Sequence, residues 1–155
     1  MSNNEDYASL GHRSWKDIPE PTVLPKGSYR LRVRKASFKE AQDERSNDIA
    51  LFVFSVVEPL DDVHEDDLAA LGDNYDFSGN RIFVRQYLAD SSDYRSLKTL
   101  LGKLGIAPDP NEEPAETLKS VKGQEIIAFL DQRTYKNNAG DNVTENTATG
   151  FIAVE

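Results

Sequence analysis

The chain is 155 residues long, with 38% hydrophobic and 29% charged residues, no cysteine and a formal net charge of −9, which suits one domain with a core of its own and leaves little room for a second. The absence of cysteine excludes a disulfide-stapled fold, thiol catalysis and a Cys-ligated metal. No apolar run is long enough to cross a bilayer, and the N-terminal MSNNEDYASLGHRSW has no basic start followed by an apolar stretch, so the expectation is a soluble cytoplasmic protein with no membrane partner.

Residues 1–25 read as an extended, partly mobile leader, because Pro19, Pro21 and Pro25 exclude both a helix and a central strand. Trp15 within it either packs on the domain or serves as a stacking ring. The domain proper is expected over 26–155. From Gly27 a strand begins, with Tyr29, Leu31 and Val33 on one face and Arg30, Arg32 and Arg34 on the other. This stretch is strongly basic, since residues 26–39 hold six bases and no acid. The alternation then slips, because Ala36 and Phe38 share parity with the arginines, and a slip within one strand marks a bulge or bend, as barrels use. Ile49–Val57 is apolar on both faces, the pattern of a second strand buried between other elements.

Residues 58–76 carry eight acids and no Lys or Arg, nearly the whole net charge of the chain, in what reads as an insertion over about 58–77. Its middle predicts a short helix with Val63, Leu68 and Leu71 inward and Gly72 ending it. Asn80–Leu88 is a third strand, with Ile82, Val84 and Leu88 on one face and Arg81, Phe83, Arg85 and Tyr87 on the other. Asp90 or Ser91 caps a helix whose apolar positions, Tyr94, Leu97, Leu100, Leu101 and Leu104, follow helical spacing up to Gly105. A surface loop is expected over 109–116, a fourth strand over Glu125–Tyr135, an Asn- and Gly-rich turn, and a fifth strand over Val143–Val154. The order strand, strand, strand, helix, strand, strand, with a kinked first strand, predicts an all-β fold with one helix. It is the order of an OB-fold, a five-stranded, partly open Greek-key barrel with the helix between strands 3 and 4.

No catalytic constellation emerges. The two histidines, His12 and His64, are poorly placed for a Ser-His-Asp arrangement, the glycines build no phosphate loop, and the acids around His64 lack calcium-loop spacing. The expectation is a non-enzyme without cofactor or metal. What remains is the pair of faces carrying Arg30, Arg32, Arg34 and Arg81, Phe83, Arg85, Tyr87, joined by Arg133, Tyr135 and Lys136 near the tip of the last hairpin. Guanidinium groups that neutralise phosphates, beside rings on which bases stack, are what a sequence-tolerant binder of single-stranded nucleic acid requires. On either strand alone, alternating arginine is equally well explained as a solvent face, and it is the coincidence of two such strands that favours binding. About five neutralised phosphates predict a salt slope of roughly −3 to −4. Two other classes stay open: a protein-interaction or virion structural module, and an acidic DNA-mimic inhibitor.

The segment LPKGSYRLRVRKASFKE, the strand ending in VVEP, NRIFVRQYL, the helix with SLKTLLGKLGI, and LKSVKGQEIIAFLDQRTYKNNAGDNVTENTATGFI together resemble the phage-encoded OB-fold single-stranded-DNA-binding proteins, over about Leu24 to Phe151. The resemblance implies an OB fold, no enzymatic activity, and a role in phage DNA replication or recombination in the cytoplasm of the infected cell. The chain departs from that pattern in its longer acidic stretch and in a C-terminus, TGFIAVE, without an acidic tail. Three roles stay open for the acidic segment: docking basic replication or recombination proteins, competing with DNA for the basic face, or only keeping the protein soluble. Monomer and homodimer both remain open.

Overall fold

The computed structural model describes residues 22–154; Trp15, Pro19 and Pro21 of the expected leader lie outside the described residues. Five strands, β1 (Gly27–Lys39), β2 (Asp48–Pro59), β3 (Arg81–Leu88), β4 (Glu125–Lys136) and β5 (Asn142–Ala153), form one open antiparallel sheet in the order β3-β2-β1-β4-β5. Among the described residues three helices accompany it: α1 (Glu65–Ala69), α2 (Ser91–Lys103) and α3 (Pro114–Leu118), with a 3₁₀ turn at Phe77–Gly79. Among the described residues, no helix is long and apolar enough to cross a membrane.

The core follows the period of two. Tyr29, Leu31 and Val33 of β1, Ala50, Phe52, Phe54 and Val56 of β2, and Ile126, Ala128 and Leu130 of β4 are all buried, and Phe52 and Phe54 lie with rings stacked at 6.0 Å. Between Val33 and Lys35 the pairing of β1 with β2 shifts, so that Arg34 is the extra residue of a bulge. From there Ala36 and Phe38 turn toward the core, as the slipped alternation predicts. β2 differs from expectation. Its inner residues are buried, but Ile49, Leu51, Val53 and Val57 are only partly covered, so the strand presents an open apolar face instead of being enclosed on both sides.

Helix α2 begins where expected, with the Asp90 side chain accepting from the Asp93 N–H, while the Asp93 carboxylate accepts from the Ala89 N–H at 2.8 Å. Its buried face, Leu97, Leu100 and Leu101, continues into Leu104, and the helix packs against β3 and β5. The loop expected over 109–116 contains the start of a helix: Pro114 opens α3 at its first position, where the missing N–H costs nothing, and Thr117 and Leu118 are buried.

The acidic insertion is folded. Val63 is buried against Gly27, whose backbone has φ +147° and whose missing Cβ leaves the space that Val63 Cγ2 enters. Asp62 accepts from both the Ser28 N–H and the Ser28 hydroxyl at 2.7 Å, and these two bonds hold its carboxyl below the usual range. Tyr75 meets Phe77 edge to face at 5.0 Å, and Phe77 reaches Tyr29. Burial, then the nearby Asp62 and Asp67 charges, push the Tyr29 hydroxyl up to about 12.

Candidate nucleic-acid interface

Strand β3 places Arg81, Phe83, Arg85 and Tyr87 on the outer side of the sheet, as its alternation demands, while Ile82 and Leu88 enter the core. The two rings are unusually bare: Phe83 is 62% and Tyr87 57% exposed. Four residues apart on a strand, they stand about 13 Å from each other, too far to share one base. The Arg81 guanidinium donates to the Ser78 carbonyl. Asp76, held low by the Ser78 hydroxyl and N–H, is lowered further by the Arg81 charge.

These four side chains form one wall of an open cleft of about 1180 Å³. The opposite wall is the β4–β5 hairpin, with Arg133, Tyr135 and Val143–Thr147, and Thr22 and Val23 also line the cleft. Arg133 lies over the Tyr135 ring at 5.2 Å and pairs with Glu145 at 2.5 Å, its directly opposite neighbour across the two strands. The expected residues of β3 and of the hairpin tip, 50 residues apart in sequence, therefore face each other; Lys136 ends β4 beside this group but does not line the cleft.

The arginines of β1 are placed differently. Arg30 pairs with Glu58, and its Nη1 is 3.8 Å from Glu125; its Nε is buried without a hydrogen-bond partner among the described residues. Arg32 donates through Nε and Nη2 to Glu125 at 3.0 and 2.6 Å. Both are engaged by carboxylates that sequence distance hides, Glu125 being 93 residues from Arg32. Arg34 stands exposed at the bulge.

The bulge brings other cations into play. Pairing aligns Lys35 with Val53 and Phe83, Ser37 with Leu51 and Arg85, and Lys39 with Ile49 and Tyr87, in rows running across β1, β2 and β3. Lys35 and Lys39 are exposed, and among the described residues neither has a carboxylate within ion-pair distance. The outer face thus carries rings on β3, a partly exposed aliphatic strip on β2 and lysines on β1. The signal was present in the sequence: if Ala36 and Phe38 turn inward, Lys35, Ser37 and Lys39 must turn outward. Among the described residues, no group of His, Asp or Glu is arranged to hold a metal ion. The chain matches no family model, and the curated proteins compared with it give no match.

Proposed function

We propose that this chain is a sequence-tolerant single-stranded-DNA-binding protein of the OB-fold class, a binding protein rather than an enzyme, serving phage DNA replication or recombination in the host cytoplasm. The sheet order, with β1 between β2 and β4 and with β3 and β5 at the two edges, supports a Greek-key barrel opened between those edges. Helix α2 between β3 and β4, and the resemblance of the segments quoted above to phage single-strand binders, support the same class. The observation that carries the functional reading is the cleft. Two bare rings and two arginines on β3 face a second arginine–tyrosine pair across a space open to a flexible polymer.

The chemistry is non-covalent. Phe83 and Tyr87 stack on separate bases, each contributing about 1–3 kcal/mol whatever the base, and Arg81 and Arg85 accept phosphates between them. Lys35 and Lys39 extend the cationic track across β2. Arg30 and Arg32 take no phosphate in this reading, because each already faces carboxylates. A duplex, whose bases are stacked on each other and turned inward, offers the rings nothing. Fluorescence anisotropy of a labelled dT strand of about 30 nucleotides, long enough for any single-domain site of roughly 4–16 nucleotides, is expected to give salt-sensitive binding that the matching duplex does not. Absence of binding at low salt refutes the proposal and leaves the arginine and aromatic face as a protein-docking surface.

A further inference from the structure

Strands β3 and β5 are the two edges of the sheet and share no backbone ladder, yet the core beneath them is sealed. The chain leading into β1 closes part of the gap between them, alongside the direct approach of β3 to β5 and helix α2, which packs against both. Leu24 is fully buried, and its backbone is held on both sides by amide side chains. The Leu24 N–H donates to Asn146 Oδ1 at 2.8 Å, and its carbonyl accepts from Asn146 Nδ2 at 3.0 Å and from Gln132 Nε2 at 2.9 Å. Two residues earlier, the Thr22 carbonyl accepts from Asn80 Nδ2 at 2.6 Å, while Asn80 Oδ1 accepts from the Tyr75 hydroxyl at 2.5 Å. Asn146 on β5 thus donates to and accepts from Leu24 as a neighbouring strand does, and Asn80, at the entrance to β3, grips the other end.

Gln132 is exposed and Asn146 half-buried. Gln132 and Asn146 are paired with each other one step beyond the inward pair Leu130 and Ala148. A polar group in that row is tolerated because its hydrogen bonds are made: Asn146 also donates to the Asp131 carbonyl at 3.2 Å. Asn80, Asn146, Thr22 and Val23 all line the cleft.

We infer that Asn146 is a positioning residue for strand binding: through Leu24 it fixes the separation between β3 and the β4–β5 hairpin, and so the width of the cleft into which bases enter. This inference rests on the single-strand reading, but its mechanical half is measurable without DNA. The clamp joins β5 and β4 to the strap at Leu24, and the strap to the entrance of β3 through Thr22 and Asn80. With Asn146 cut back to Ala, two of the three described bonds from β5 and β4 side chains to Leu24 are lost together with the tie to Asp131, and the hairpin bearing Arg133 and Tyr135 is held less firmly relative to Phe83 and Tyr87.

Since the chain has no cysteine, Ala89→Cys and Asn142→Cys introduce two unique label sites, one on each side of the cleft, outside the residues assigned to binding. Spin-label distances between them are expected to be narrowly distributed in the otherwise wild-type protein and broader and longer with Asn146→Ala. Affinity for dT30 falls in parallel by roughly five- to thirty-fold, the factor that one or two bond energies amount to, while the salt slope stays unchanged because no charge is altered. Gln132→Ala, which removes one bond, gives a smaller change in the same direction and stands in if Asn146→Ala does not fold. An affinity loss with an unchanged distance distribution overturns the inference, for Asn146 then acts by touching the strand. Unchanged distance and unchanged affinity overturn it equally. If the wild-type chain binds no single strand, the functional proposal fails, and the distances alone decide whether the clamp sets the cleft.

Discussion

The charges of the outer face give a quantitative handle on the proposed binding. Among the described residues, the cations proposed to meet phosphates are Arg81, whose guanidinium also donates to the Ser78 carbonyl, and Arg85 on β3, with Lys35 and Lys39 on β1, whereas Arg30 and Arg32 are held by Glu58 and Glu125 and Arg133 by Glu145. Four phosphates at about −0.7 each give a slope of roughly −2.8 for log affinity against log salt. Between 50 and 200 mM salt the affinity for dT30 therefore falls about 50-fold. Replacing Lys35 and Lys39 together by Gln reduces the slope to roughly −1.4 and the fall to about 7-fold. Replacing Arg30 and Arg32 together by Gln leaves the slope near −2.8, because those guanidiniums already have carboxylate partners and release few counterions from DNA. Anisotropy titrations at four salt concentrations separate the cases. Equal flattening by the two double variants refutes the assignment, and flattening by the arginine pair alone reverses it: the strand then crosses β1 ahead of the bulge, and binding breaks the Glu58 and Glu125 pairs.

Phe83→Ala and Tyr87→Ala are each expected to weaken dT30 binding by about 1–3 kcal/mol with no change of slope, read in the same titrations; a change of slope would mean that the rings act by placing cations. Gly27→Ala is expected to destabilise the fold by about 1–3 kcal/mol in urea denaturation, because the new Cβ would lie 2.5 Å from Val63 Cγ2 at a backbone φ of +147°. A midpoint within error of wild type would show that the acidic cap moves aside freely. Asp62 and Asp76 have their carboxyls lowered chiefly by hydrogen bonds from Ser28 and Ser78 respectively. A lowered folded-state value means that their contribution is complete above the unfolded value of about 3.9 and disappears as pH falls through the folded one. Asp62→Asn is thus expected to cost about 1 kcal/mol at neutral pH, after allowance for solvent screening, and to flatten the loss of stability below pH 4; parallel urea midpoint curves for variant and wild type over that range would count against the Ser28 bonds.

The elements of this protein were largely legible in its sequence, because alternation along a strand and spacing along a helix depend only on near neighbours. Tyr29, Leu31 and Val33 against Arg30, Arg32 and Arg34, Ile82 and Leu88 against Phe83 and Tyr87, and the leucines of α2 all face as their periods require. The bulge in β1 was legible for the same reason. α3 was not, since five residues give no period to read, and the open face of β2 was not, since an apolar row says nothing about what covers it. The charges needed the tertiary structure most. Whether an arginine is available for phosphate depends on which carboxylate the sheet register brings beside it, and Glu125 reaches Arg30 and Arg32 only through the pairing of β1 with β4. The amide clamp on Leu24 joins residues 108 and 122 positions apart. Local periodicity determined which side chains point outward; long-range pairing alone decided which of them were left free, which were spent on each other, and how far apart the walls of the cleft stand.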